Sequence, residues 1–169
     1  MSEPAGVRAR ARLAELGLEL PPVVPPVAAY VPAVRTGTLV FTSGQLPMAG
    51  GELGAVGKVG AQVTPERAQE LARTCALNAL AAVDALVGLD AVVRVVKVVG
   101  FVAGVPEFTG QPAVVNGASE LLGEVFGDQG RHARSAVGVA SLPLDAPVEV
   151  ELVVEVVPEG GAGSGGGSA

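Results

Sequence analysis

Apolar residues recur along this chain with two different periods, and the changes of period mark its elements. Ala68, Leu71, Cys75, Ala79, Val83 and Leu86 return at helical spacing. Thr64-Pro65-Glu66 ahead of them offers a capping hydroxyl, a proline for the first helical position and an acid facing the helix dipole; Gly88 stops the run. A helix is predicted over 64–88. A second is predicted over 111–126, with Val114, Ala118, Leu121, Leu122 and Val125 on its apolar side. Between them, residues 92–102 are a valine-dominated run interrupted by Arg94 and Lys97, the pattern of a central strand covered on both faces for much of its length. Residues 132–140 and 148–157 alternate in character and are predicted to pair as a hairpin across the connection 141–147.

Upstream, two short strands at 30–35 and 38–42 flank Thr36-Gly37, a tight turn. The Gly-rich stretch 49–60 reads as a loop, with room for one short strand near 58–61. Residues 8–18 are predicted to form a short helix ended by Gly17, with Arg8, Arg10 and Arg12 on a solvated face. Four prolines between Pro21 and Pro26 impose an extended lead-in.

The expected order is β-β-(β)-α-β-α-β-β, an α+β fold with both helices on one face of the sheet. The expected organisation is an N-terminal helix and Pro-rich lead-in (1–28), one domain (29–157) and a flexible Gly/Ser tail (158–169). A Val-rich sheet with one bare face is expected to gain cover by self-association.

Composition narrows the chemistry. The chain has 169 residues, a net charge of -6 and 3% aromatic residues. An acidic domain without basic clustering or stacking platforms lacks the means to neutralise phosphates, so nucleic acid is not an expected partner. One cysteine, Cys75, allows no intrachain disulfide, and its place on the apolar stripe makes it a small core residue. One cysteine and one histidine, His132, do not make an ordinary zinc site, so neither metal nor cofactor is expected. No signal segment or membrane span is legible, and a cytoplasmic protein is expected.

No G-x-S-x-G elbow or P-loop is present. What remains are polar residues at the ends of apolar strands. Arg134, among the small residues of His132-Ala-Arg-Ser-Ala, carries a permanent planar charge suited to bidentate carboxylate binding; a structural ion pair is the alternative. Glu149 alternates with valines and equally suits a solvent-facing strand position. Tyr30, the only tyrosine, is a donor or a rim residue. Asn116 beside Gly117 in mid-helix points to close packing or a polar contact.

Phe41-Thr-Ser-Gly-Gln-Leu-Pro47, a helix containing Asn116, then Ala133-Arg-Ser-Ala-Val and Val148-Glu-Val-Glu151 together resemble the Rid family, also called YjgF-like, from about residue 30 to 157. The N-terminal helix and the wording around His132 resemble its longer branch, sometimes labelled endoribonuclease. The resemblance implies a chorismate-mutase-like fold with a mixed sheet, a homotrimer closing a central barrel, and sites in clefts between subunits. It also implies hydrolysis of reactive enamine or imine intermediates, released by PLP enzymes, to 2-keto acids and ammonia. In this reading Arg134 binds the substrate carboxylate and Glu149 holds a water, while Tyr30, Ser43 and Asn116 fall on other pocket positions. His132 is a further candidate, for a proton or a hydrogen bond. The chain departs from the archetype at Ala136, where archetypal members carry cysteine, and at Gly138.

A hairpin with Ala140 opposite Val148 would separate Arg134 and Glu149 by roughly 17 Å at about 3.3 Å per residue, too far for one small ligand. They can share a site only if different subunits supply them. Two other readings use the same residues: a non-catalytic trimer that binds a small carboxylate metabolite, and a scaffold.

Overall fold

In the computed structural model, which describes residues 9–23 and 29–159, the elements run α1 (Ala9–Glu15), β1 (Ala33–Thr36), β2 (Leu39–Thr42), β3 (Met48–Ala49), β4 (Glu52–Leu53), α2 (Pro65–Val87), β5 (Val92–Ala103), α3 (Gln111–Phe126), β6 (Ala133–Val139) and β7 (Val148–Val156). The Gly/Ser tail from residue 160, Arg8, and Pro25 and Pro26 of the lead-in lie outside the described residues.

The helix signals act as read. Thr64 Oγ1 accepts from the Arg67 amide at 3.1 Å, Pro65 takes the first turn, and Gly88 leaves the helix at φ +79°. Asn116-Gly117 marks a close approach: a Cβ on Gly117 would overlap the Gln69 carbonyl, so only glycine lets α3 lie this near α2. Both long helices pack on one sheet face, against Val95, Val98, Val102, Val148, Val150, Leu152 and Val154.

The five-stranded sheet has the order β1-β2-β7-β5-β6, and β5 and β6 are parallel while every other pair is antiparallel. The expected final hairpin does not form. A parallel pair needs a long crossover, and α3 is that crossover between β5 and β6. The 141–147 connection then carries the chain past the end of β5 to its other side, where β7 fills the gap between β5 and β2. Strict alternation in β7, every second residue buried, is what a central strand with one covered face requires. For the same reason β5 is not covered on both faces: Val95, Val98 and Val102 are buried, whereas Val99 and Phe101 on the other side are partly open.

Three further features add to or depart from the sequence expectation. The Gly-rich loop holds a two-stranded hairpin, β3-β4, and Val59 makes only isolated bridges to Val63 and Gly104. The first helix is not merely solvated: Ala9 and Leu13 are buried, Arg10 grips Asp84 with two nitrogens, and Arg12 Nε donates to the Glu124 carbonyl. Pro143–Asp145 turns back with Leu144 and Asp145 both at φ 57°, closed by a hydrogen bond from the Ala146 amide to the Pro143 carbonyl. That is a type I′ arrangement built without glycine or asparagine, and Leu144 in it is 69% exposed.

The sheet face away from α2 and α3 carries Val34, Phe41 and Val137 exposed, with Phe101, Val99 and Val153 between them. No helix among the described residues is long and apolar enough to cross a membrane.

Candidate functional site

Arg134 pairs with Val98 across the parallel ladder, so its side chain leaves β6 on the helix side and meets α3. Nη1 donates to Asn116 Oδ1 at 2.8 Å and to Ser119 Oγ at 3.2 Å, and Nη2 donates to the Pro112 carbonyl at 3.3 Å. Asn116 and Ser119 are one helical turn apart and so present side chains on one face. These bonds use three of the five guanidinium hydrogens, leaving Nε–H and one Nη2–H without a protein partner among the described residues. Nor does any carboxylate among them pair with Arg134, so the described residues do not supply the structural ion pair considered from sequence.

Behind this group stands His132. Its Nδ1 lies 2.6 Å from the Gly130 carbonyl and its Nε2 lies 2.9 Å from Ser119 Oγ. A carbonyl only accepts, so Nδ1 carries the proton and Nε2 of the neutral ring accepts from the Ser119 hydroxyl. His132 therefore reaches Arg134 through Ser119 rather than directly.

Glu149 belongs to a different neighbourhood. It pairs with Phe101 and points to the sheet face opposite the helices. The path of β2 beside it is bulged: Phe41 faces Val153 and Gln45 faces Val150, so Thr42, Ser43 and Gly44 lie opposite only Glu151 and Leu152. Thr42 Oγ1 fills the gap by accepting from the Leu152 amide at 2.9 Å. The bulge brings Gly44 so near Glu149 that a Cβ there would overlap the carboxylate. Burial pushes the half-buried Glu149 carboxyl above its ordinary range, and the charge of Glu151 adds to the effect. Ser43 Oγ donates to the Val31 carbonyl at 2.6 Å, which fixes the backbone next to Tyr30, itself 59% exposed.

The six sequence candidates thus fall into two sets within one chain. Arg134, Asn116 and His132 join through Ser119 at the β6–α3 edge; Glu149, Ser43 and Tyr30 gather around the β2 bulge. In register, Arg134 stands level with Val98 and Glu149 level with Phe101, two strands away. That spacing is about 14 Å between Cα atoms, on opposite faces of the sheet, in place of the roughly 17 Å on a hairpin. Sequence reading missed Ser119, whose only signal was its one-turn spacing from Asn116. It also missed Gly44 as the floor beneath Glu149. Ala136 and Gly138 follow Arg134 on the same side of β6, and Gly138 faces the Gln111 amide. Among the described residues no three His, Cys, Asp or Glu side chains converge as metal ligands.

Residues 22–156 match the Endoribonuclease L-PSP family. The chain belongs to this family, the YjgF-like family whose motifs its sequence resembles. Protein TCP17 of Trypanosoma cruzi is 46% identical over 160 residues, spanning 92% of this chain and 99% of that one. Atu1372, a protein of unknown function from Agrobacterium tumefaciens, superposes with a TM-score of 0.81 at 46% identity, over 90% of this chain and 94% of its own. The YjgF gene product of E. coli superposes with a TM-score of 0.55 at 31% identity, over 78% of this chain and 92% of that one.

Proposed function

We propose that the protein is a hydrolytic deaminase of reactive enamine or imine intermediates, giving a 2-keto acid and ammonia, with Arg134 of one subunit and Glu149 of another facing the same cleft of a homotrimer. The observation that carries the reading is the guanidinium of Arg134. It is oriented by Asn116, Ser119 and the Pro112 carbonyl, it is unpaired with any carboxylate among the described residues, and it keeps two N–H donors, the number a carboxylate takes in a bidentate pair.

Glu149 supplies the complementary half. A carboxylate lifted toward neutral pH by desolvation is a better base than an ordinary glutamate, suited to orienting and deprotonating a water. Imines hydrolyse readily, so holding the carboxylate at Arg134 and the water at Glu149 provides the positioning the reaction needs. Within one chain the two residues point to opposite faces about 14 Å apart, so the reading requires association, and the bare face bearing Phe41, Phe101 and Val137 favours it. Tyr30 and Ser43 would border the cleft from the Glu149 side. RNA cleavage is a poorer reading: the chain is acidic, and its single histidine is occupied by Gly130 and Ser119. A cytoplasmic setting is part of the proposal.

The test mixes the protein with a PLP-dependent amino-acid dehydratase that releases the imine and follows keto-acid formation. Acceleration over buffer is expected. No acceleration, or an Arg134→Ala protein as fast as wild type, would overturn the reading. Saturable keto-acid binding without turnover would establish instead a metabolite-binding protein using the same clamp.

A further inference from the structure

Ser119 enters the chemistry just described only by orienting Arg134, and His132 not at all, yet both are tied to the guanidinium by an unbroken chain of hydrogen bonds. The Gly130 carbonyl accepts from His132 Nδ1, His132 Nε2 accepts from the Ser119 hydroxyl, and Ser119 Oγ accepts from Arg134 Nη1. With the ring neutral, the single hydroxyl hydrogen of Ser119 is committed to His132 and points away from any ligand held by Arg134.

We propose that Ser119 is a ligand-binding residue of the Arg134 site whose hydroxyl is switched by the protonation of His132, so that the site binds carboxylates more tightly once the imidazole is charged. The hydrogen-bond count requires the switch. A hydroxyl oxygen has two acceptor sites and one hydrogen. When Nε2 takes a proton from solvent it becomes a donor, and Ser119 must accept from it. The second lone pair still accepts from Arg134 Nη1, and the hydroxyl hydrogen, released from the ring, is free for a ligand oxygen. The same event adds a positive charge one residue removed from the guanidinium. No covalent bond other than the N–H forms or breaks, and Nδ1 keeps its bond to Gly130 throughout. His132 is a positioning residue here; it acts through Ser119.

The charged groups on the elements around His132 are otherwise engaged or displaced. Glu124 on α3 pairs with Arg73, Arg131 pairs with Asp128 at the exposed turn, and Lys97 on β5 reaches Ser135 on the opposite sheet face. Glu120, next to Ser119 in sequence, is the remaining acid on α3, and Arg134 is the cation in the chain itself. Glu149 is the other group able to impose a pH dependence on the cleft, and the experiment separates it.

The inference rests on the carboxylate-clamp reading of Arg134, and the probe is pyruvate. Titration calorimetry on the full chain between pH 8 and 5.5 is expected to show affinity rising about tenfold, with proton uptake on binding, revealed by buffers of different ionisation enthalpy. His132→Gln is expected to keep the weak high-pH affinity and lose both the slope and the uptake. Ser119→Ala should lose the low-pH gain although the imidazole remains, and Ser119→Thr, which keeps the hydroxyl, should restore it. Glu149→Gln should leave the slope in place. A flat profile in wild type, or full proton uptake surviving in Ser119→Ala, would overturn the switch; if pyruvate binding is then still abolished by Arg134→Ala, the clamp stands alone. Absence of pyruvate binding by wild type at every pH would overturn both. Should His132→Gln fail to fold, the wild-type uptake and the two Ser119 variants decide the matter.

Discussion

Arg134 and Glu149 sit two strands apart in one sheet and are held in opposite ways. Arg134 is surrounded by acceptors that fix its plane, and its charge meets no carboxylate among the described residues. Around Glu149 the chain has withdrawn solvent and placed another carboxylate nearby, and no hydrogen bond from the described residues favours the ionised form. The first arrangement suits a preorganised anion receptor, the role proposed for it; the second is a group made more basic. The difference teaches why, in the proposed reading, each is half of a site. A receptor without a base binds but does not turn over, and a base without a receptor has nothing held against it.

The largest effect that can break this division comes from mixing variants. Arg134→Ala and Glu149→Gln should each lose roughly 100-fold in keto-acid release, the scale for removing one member of a buried charged contact. Co-refolded in equal amounts, they should regain about a quarter of wild-type activity, because a cleft between neighbours then has both native residues in about one case in four. Mixtures as inactive as the parents would show that one chain supplies both residues. Next in size is Gly117→Ala, which drives α3 off the Gln69 carbonyl. We expect a loss of about 2 kcal/mol, read as a melting temperature lower by about 5 °C, with pyruvate affinity weakened because Asn116 and Ser119 move with the helix.

A smaller effect concerns pH. With the folded carboxyl raised above its unfolded value, the native state binds more protons in the window between them, so Glu149 costs stability as pH rises through its folded value. Glu149→Gln should therefore raise the melting temperature at pH 7 by on the order of a degree or two, given its partial exposure, and the gain should vanish in acid. In the wild type, activity should fall as pH drops through the same titration, since the base is then protonated; the glutamine variant should show no such limb in its residual rate. The smallest effect is at the turn leading into β7. Leu144→Asn with Asp145→Gly suits the I′ conformation and should stabilise by about 1 kcal/mol in denaturant unfolding. Should activity drop at the same time, the exposed leucine belongs to the Glu149 half.

Much of this was legible in the sequence. Period, caps and glycine stops placed α2, α3 and the five strands of the main sheet to within a few residues, because those signals are local. The partner of β6 was not, since alternation tells which face a strand buries and is silent on which neighbour it pairs with. The same gap put Arg134 and Glu149 on one imagined hairpin and hid that they face opposite ways. The burial of α1 depends on Ala9 and Leu13 meeting the distant residues of α3, which no window along the chain reveals. Candidate residues emerged from their unusual settings. Ser119 had an ordinary one, a serine in an amphipathic helix, and only the fold brings it between His132 and Arg134.

The place of β7 has a consequence for how the molecule comes into being. The strand that joins the two halves of the sheet is the last element of the domain, lying between β2 and β5. Until it is made, β1-β2 and β5-β6 are separate ribbons, each with an open edge, and the long-range pairings that unite them have nothing to form on. A chain interrupted before Val148 would present those edges, with their valines, to other chains instead. Synthesis to the end of this strand is thus the step at which an aggregation-prone pair of ribbons becomes a single sheet.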